Sequence, residues 1–280
     1  MFRRIFSILI VVLMLGGVLL TAVSSSNSAQ EEEIDNLIAA ESLIKTLHIM
    51  VVGFENKVVN IEKLTTDVLP VVLYKIAETP ELLRLWVDME RKVLAQEEVM
   101  VGLREWKKRE RELKWPPWPW PFPWPWPDCY PVLWAFDARI GGGIIVDLRT
   151  KFDLRPGRMR ELIAGDPRVA GIIIVDGLRL TAEWIVDEKH TADLERLSKK
   201  VLPILISRLA ESPGLRERSI PMMKELGRYS EQKPVREAIA KLKESLMENG
   251  LTEEQALMSS WGAFSRGVRL ALYIAPLLGK

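Results

Sequence analysis

Three aspartates come nearest to a chemical site in this sequence. Asp147 and Asp176 each follow an Ile-Ile-Val run, and Asp137 lies upstream of the first run. If both runs are neighbouring parallel strands, the three carboxylates could share one sheet edge and hold a hard divalent cation. An aspartate at a strand end is more commonly a turn residue. We therefore expect no metal ion, and the three residues are candidate ligands only if the protein is an envelope enzyme.

Other chemistries find less support in the sequence. The run Gly141-Gly142-Gly143 is not followed by the Gly-Lys-Ser/Thr of a phosphate-binding loop, and neither His48 nor His190 has a recognisable route to a nucleophile. A single cysteine, Cys129, excludes an intrachain disulfide and a cysteine-based zinc site. No cofactor is predicted, and catalysis is not the function that we expect.

The aspartate site depends on a sheet, which the sequence predicts within residues 132–215. The runs 144–146 and 172–175 are continuous and apolar, as in buried strands. Asp176-Gly177 is a typical two-residue hairpin turn, and apolar and polar residues alternate beyond it through 178–187. With a further strand upstream, the region is predicted to be a small α/β unit of three to four strands.

Helices are predicted beside this sheet and after it. Segments 158–164 and 191–211 have a helical apolar spacing, and the second can cover one face of the sheet. Segments 234–249 and 252–278 make the C-terminal part, residues 216–280, helical. The predicted fold class is therefore α+β with helices predominating.

A Trp/Pro-rich linker, residues 115–131, precedes the predicted sheet. The alternating prolines of WPPWPWPFPWPWP, residues 115–127, exclude a helix and an interior strand and leave an extended or polyproline II chain. We predict a rigid linker; the alternatives are a peripheral contact with a lipid interface or an aromatic surface for a partner. The aromatic residues concerned are Trp115, Trp118, Trp120, Phe122, Trp124 and Trp126.

Residues 31–114 show helical periodicity. Apolar residues follow a 3,4 spacing for about five heptads, which predicts a helix that ends or kinks at Pro70, in preference to a local β-hairpin over 48–61. Thr79-Pro80 begins a second long helix, so the two form a coiled-coil-like antiparallel hairpin or associate with other copies. A homo-oligomer is predicted through Leu37, Ile44, Leu47, Val51, Phe54, Val58 and Ile61.

Two segments resemble each other at an offset of 133 residues. VLPVVLYKIAETPEL, residues 68–82, and VLPILISRLAESPGL, residues 201–215, are identical at seven of fifteen positions. The similarity fits either an ancient duplication or two independent uses of the same helix start, Thr-Pro and Ser-Pro. The sequence leaves both explanations open.

The N-terminal segment, residues 1–30, predicts export. Arg3 and Arg4 precede nineteen largely apolar residues, 5–23, and the acidic run 31–33 follows. By the positive-inside rule, the N-terminus is cytoplasmic and the remainder lies outside. The apolar stretch is long enough to anchor the chain in a bilayer, while small residues after it also allow cleavage of a signal peptide. The protein is predicted at the cell membrane with its bulk outside the cytoplasm, or secreted.

Composition limits the remaining function classes. A chain of 280 residues with 48% hydrophobic residues can bury a sizeable core. A formal net charge of +1 provides no field for nucleic acid, which is therefore not an expected partner. We expect an exported, membrane-tethered scaffold or interaction protein that self-associates through its helical stalk, presents the α/β unit and binds a protein partner of unspecified identity.

Overall fold

The described part of the chain is mostly helical. No strand occurs in the residues that the computed structural model describes, which are 29–95, 101, 144, 147–148, 150–152 and 158–277. The predominance of helices is confirmed. The prediction of a small α/β unit, and with it the α+β class, is wrong.

The helices range from three to 27 residues in length. Two π-helical turns, Leu64–Val68 and Leu197–Val201, and one 3₁₀ turn, Glu188–His190, lie between some of them. In chain order the helices are α1 (Ala29–Glu55), α2 (Ile61–Lys63), α3 (Leu69–Glu78), α4 (Pro80–Leu94), α5 (Arg158–Gly165), α6 (Pro167–Val186), α7 (Thr191–Arg196), α8 (Leu202–Ala210), α9 (Pro213–Ser230), α10 (Lys233–Glu248) and α11 (Glu253–Leu277).

Helix α1 ends earlier than the heptad spacing predicts. The helix stops at Glu55, and Lys57 adopts a left-handed backbone conformation with φ 50°. Asn60 then caps the next helix, because its side chain accepts a hydrogen bond from the Lys63 backbone N–H. The chain turns here instead of continuing to Pro70. The apolar 3,4 spacing continues in the sequence across this turn, because the apolar residues before and after it belong to the same hydrophobic core.

One helix, α6, replaces the predicted strand, hairpin turn and strand. Asp166 caps it by accepting hydrogen bonds from the backbone N–H groups of Arg168 and Val169, and Pro167 occupies the first helical position. Ile172, which lies in the predicted buried strand, is 53% exposed. The buried residues follow the helical period instead: Ala170, Ile173, Ile174, Leu178, Thr181, Ala182 and Ile185.

The Asp176-Gly177 pair lies inside α6 for a packing reason. A Cβ on Gly177 would lie 2.4 Å from a methyl of Leu270 and 3.1 Å from one of Leu148, so glycine permits this close approach. Ile144, which begins the other predicted strand, is also helical and buried. The Asp-Gly signal here marks a helix contact and not a hairpin.

The internal similarity extends to the local fold. In both segments a short helix leads into a five-residue π turn, a second helix, a break and a helix that starts with proline. The two π turns are 133 residues apart, and so are Pro80 and Pro213, which start α4 and α9. We name residues 34–94 the first copy and residues 167–227 the second copy. A shared succession of elements at one constant offset favours duplication over two independent helix starts.

Proline explains the π turn in both copies. Pro70 and Pro203 have no N–H for the carbonyl four residues earlier, and their rings crowd that carbonyl, so the helix widens. The backbone N–H groups of Leu69 and Leu202 then donate to carbonyls five residues back. The same local chemistry therefore produces the same irregular turn twice.

A buried hydroxyl accompanies each π turn. Thr65 Oγ1 donates to the Ile61 carbonyl at 2.7 Å, and Ser198 Oγ donates to the Leu194 carbonyl at 2.9 Å. Both donors and both acceptors are related by the same 133-residue offset. The two copies thus match at the level of single hydrogen bonds.

The copies exchange their first helices. Helix α1 packs against α8 and α9 of the second copy, and α6 packs against α3 and α4 of the first. Two cations at equivalent positions make long-range hydrogen bonds near these contacts: Arg196 Nε of α7 donates to Asn36 Oδ1 of α1 at 2.8 Å, and Lys63 Nζ of α2 donates to the Ala164 carbonyl of α5 at 2.9 Å. The contacts are reciprocal, as they are between subunits of a two-fold dimer.

The last two helices complete the same core. Helix α11 contacts α1, α3 and α6, whereas α10 packs mainly against α3 and α11. The predicted C-terminal helices at 234–249 and 252–278 correspond to α10 and α11. Residues 29–94 share one hydrophobic core with the helices of residues 158–277, so this part of the predicted stalk does not stand free of the rest.

Candidate functional site

Asp176 is the metal candidate whose surroundings are best defined. It is 8% exposed, and its Oδ1 accepts hydrogen bonds from Lys151 Nζ at 2.7 Å and from Arg179 Nε at 3.1 Å. Burial opposes the charge of Arg179, but hydrogen bonds to Asp176 and Glu183 outweigh it and raise the pKa of this guanidinium. Both cations bind the same oxygen, Oδ1, whereas Oδ2 is buried and has no hydrogen-bond partner among the described residues.

The described residues contain no sheet edge at which the aspartates could meet. Asp147 is exposed in a helical segment, and Asp137 lies outside the described residues. No group of three or more histidine, cysteine, aspartate or glutamate side chains with metal-binding geometry occurs in the part of the chain that the structure describes. The predicted metal site depended on two neighbouring parallel strands that would bring the three carboxylates together. Its geometric basis is therefore lost.

A buried polar cluster connects α4 with α11. The Trp86 indole N–H donates to Ser259 Oγ at 2.8 Å. Further along both helices Arg266, which is 1% exposed, lies 3.5 Å from the Glu90 carboxylate and 5.4 Å from the Trp86 ring centroid. Arg266 Nη1 also lies 3.3 Å from the Met89 sulfur. A guanidinium, an indole and a carboxylate thus share one buried position.

This cluster can hold two helices in a fixed register. Burying a guanidinium is costly unless a carboxylate and an aromatic face accompany it, and both do so here. Any sliding of α11 along α4 would separate Arg266 from Glu90 and leave both charges buried. The cluster therefore acts as a positioning device, in which the Glu90 carboxylate lies against Arg266 and the Ser259 hydroxyl accepts from the Trp86 indole.

The sequence contained a signal for this cluster that sequence reasoning missed. Arg266 stands among small and apolar residues in GAFSRGVRLALY, where a charge on a buried face requires a partner. Glu90, the partner, lies 176 residues earlier in the chain. The buried arginine could have been predicted, but its partner follows only from the fold.

His190 contacts Trp184 at the C-terminal end of α6. Its ring stacks on the Trp184 ring with centroids 4.1 Å apart, and its Nδ1 lies 3.0 Å from the Trp184 carbonyl oxygen. Lys92 Nζ donates to the Val186 and Asp187 carbonyls in the same region. These contacts cap the C-terminal end of α6, where the last backbone carbonyl groups have no N–H partner within the helix.

All of the residues predicted for self-association except Leu37 belong to the chain's own core or pack against it. Another molecule of the protein cannot reach the buried side chains among them while the helices stay packed. Self-association therefore remains a prediction, and it would require another surface. Leu47, Val51 and Ile61 are buried, whereas Leu37, Ile44, Phe54 and Val58 are partly buried.

The outward side of α1 is apolar at its N-terminal end. Ile34 and Ile38 are 48% and 51% exposed, whereas the exposed residues further along are Lys45, His48 and Glu55. Within the described residues, Ile34–Glu55 is the one helix that is long and apolar enough to be a signal or an anchor. Its inward side is part of the hydrophobic core, which favours a core helix.

The lipid and partner contacts predicted elsewhere remain predictions. The apolar stretch at 5–23 lies outside the described residues. So do the aromatic residues of the linker, Trp115, Trp118, Trp120, Phe122, Trp124 and Trp126.

Comparisons with known proteins identify no relative. No protein-family model matches the chain, and no curated protein or solved structure matches it either. The function must therefore be argued from the residues of this chain alone.

Proposed function

We propose that this protein is an exported scaffold or interaction protein, held at the membrane by its N-terminal segment, that presents a helical body outside the cytoplasm. The order of the first residues carries the proposal. Arg3 and Arg4, the apolar stretch 5–23 and the acidic run 31–33 follow the pattern of an outward-facing anchor. Helix α1 begins at Ala29, so the anchor would join the body with almost no linker.

The buried polar groups suit a protein that presents surfaces. Asp176 is neutralised by Lys151 and Arg179, and Arg266 lies against Glu90, so both sets of charges hold helices together. The helices of both copies share one hydrophobic core. This arrangement supports binding and assembly more directly than catalysis.

Fractionation of the full chain tests the proposal. We expect the protein to sediment with membranes, to remain there after alkaline carbonate, and to be digested by protease added from outside the cell. Deletion of residues 1–28 is expected to leave the chain in the cytoplasm.

The matched control is Arg3→Glu/Arg4→Glu, which keeps the apolar stretch but inverts the flanking charge. We expect this variant to remain in the membrane with less of its body accessible from outside. A shortened mature chain in the medium would show that residues near the N-terminus are a cleaved signal peptide and that the protein is secreted. A full chain that stays soluble inside the cell would contradict the proposal.

A further inference from the structure

We infer that the first turns of α1 rest on the lipid interface, with Ile34 and Ile38 in contact with a membrane surface. The inference depends on the membrane tether proposed above and adds the orientation of the body to it. It begins with the two isoleucines, which are 48% and 51% exposed. Residues four apart lie on one face of a helix, so the two side chains form one outward apolar strip.

The chain length before α1 places this strip close to the bilayer. Only residues 24–28 separate the apolar stretch from Ala29. Fully extended, five residues span at most about 18 Å. From Ala29 to Ile34 the helix rises only about 8 Å. A body anchored at 5–23 therefore keeps Ile34 within about 26 Å of the end of the apolar stretch, which allows it to contact the lipid headgroups.

The outward face of α1 becomes polar with distance from the anchor. Beyond Ile38 the exposed residues are Lys45 and His48, and Lys45 lies about 10 Å further along the helix axis than Ile38. An anchored helix that touches lipid only at its start requires this order of side chains.

The charges near the strip select the type of lipid. The acidic run 31–33 and Asp35 would be repelled by an anionic surface. Glu41 adds little to this repulsion, because Arg208 lies 3.5 Å from its carboxylate. The inferred contact is therefore with a zwitterionic surface, and phosphatidylcholine vesicles are the appropriate probe.

Helix α6 provides a matched control within the same chain. It is the counterpart of α1 in the second copy, and Ile172 on it is 53% exposed, close to the value for Ile38. No apolar stretch comparable with 5–23 directly precedes α6 in the sequence. Ile172 thus matches Ile38 in residue type, exposure and kind of helix, but not in nearness to the anchor.

The test uses the full chain with Cys129→Ser and one new cysteine at a time. Ile38→Cys, Lys45→Cys and Ile172→Cys are each labelled with an environment-sensitive fluorophore and reconstituted into phosphatidylcholine vesicles. A nitroxide carried on the lipid is expected to quench the probe at position 38 severalfold more than the probes at 45 and 172. Circular dichroism confirms that each labelled chain is folded.

Two different failures can be separated by flotation of the vesicles. If the labelled chains float with the vesicles but the probes at 38 and 172 are quenched equally, the interface contact is refuted and the tether stands. If the chains do not float, the tether itself is refuted, and the interface contact with it.

Discussion

The two copies share a local shape but not an environment. In both, proline follows a π turn, and a Thr-Pro or Ser-Pro step starts the next helix. Helix α3 of the first copy is enclosed by α6, α10 and α11, whereas the main neighbours of its counterpart α8 are α1 and α9. Pro70 is accordingly buried and Pro203 exposed.

This difference separates what local sequence determines from what packing determines. The π turn depends on a proline and its neighbours, so it survives in both environments. The stability of each copy depends on the helices that cover it. The buried cluster shows this most clearly, because the counterpart of Trp86 in the second copy is Ser219. Substitutions at matched positions can therefore measure the asymmetry.

The largest effect is expected at the cluster that occurs in the first copy only. Glu90→Ala should lower the free energy of unfolding by about 3–5 kcal/mol, because it removes the carboxylate that lies 3.5 Å from the buried Arg266 guanidinium. The double variant Glu90→Met/Arg266→Met should recover most of this loss, since it removes both charges and keeps apolar volume. Denaturant unfolding of the full chain in mild detergent, followed by circular dichroism, measures both.

An exposed glutamate on the same helix is the control for this prediction. Glu81→Ala should change the free energy of unfolding by less than about 0.5 kcal/mol. If Glu90→Ala costs no more than Glu81→Ala, the cluster does not fix α11 against α4.

The next effect compares the same residue in the two copies. Leu69 and Leu202 are each buried to within 1% and follow equivalent π turns. Leu69→Ala should lower the free energy of unfolding by about 4–5 kcal/mol, because the enclosed site cannot collapse around the cavity. Leu202→Ala should cost about 2–3 kcal/mol, because α8 can relax toward solvent. Equal losses in the same unfolding experiment would show that the copies are equally well packed.

Much of the helical pattern could be predicted from the sequence. The Thr79-Pro80 start, the helix near 158–164 and the two C-terminal helices are where the spacing places them. The segment that became α6 was predicted as strands because a short apolar run has the same periodicity in a buried strand and a buried helix. Asp166-Pro167 was the signal against strands, since it is a helix start of the same kind as Thr79-Pro80.

The candidate site was less predictable because its residues are remote in sequence. The Asp176 carboxylate is neutralised by Lys151, 25 residues away, and only the fold brings the two together. The 3,4 spacing of apolar residues in the first helix correctly predicted burial. Periodicity alone, however, cannot distinguish burial within the same chain from burial against another molecule. Leu47 and Val51 are buried by their own chain.

Glycine substitutions give a smaller test of how tightly the first copy is covered. A Cβ on Gly267 of α11 would lie 2.6 Å from a Leu69 methyl, whereas a Cβ on Gly214 of α9 would meet no atom within 4 Å. Gly267→Ala should lower the free energy of unfolding by about 1–2 kcal/mol despite the better helix propensity of alanine. Gly214→Ala should raise it by up to about 1 kcal/mol.

Combining Gly267→Ala with Leu69→Ala decides whether the clash is the cause. The shortened side chain makes room for the new methyl, so the double variant should lose less stability than the sum of the single variants. If the losses of stability in the two single variants are strictly additive in the double variant, the cost of Gly267→Ala does not come from the contact with Leu69.

The smallest effect concerns an ion pair that joins the copies at the surface. Arg218 on α9 donates from Nε to Glu55 Oε1 at 2.8 Å, and this hydrogen bond lowers the pKa of Glu55. The equivalent positions, Leu85 and Glu188, cannot form the same pair. A depressed carboxyl pKa contributes stability above the ordinary glutamate value of about 4.3, and this contribution is lost as the pH falls through the lower folded value.

Arg218→Gln should therefore raise the pKa of Glu55 toward its ordinary value and slightly flatten the acid limb of stability against pH. The effect on stability is small because the pair is exposed and water screens it. Carboxyl carbon shifts in a pH titration measure the pKa directly, with Arg84→Gln, an exposed arginine on α4, as the control. An unchanged Glu55 titration in Arg218→Gln would mean that α1 and α9 are joined by apolar packing alone, as the buried faces of both helices allow.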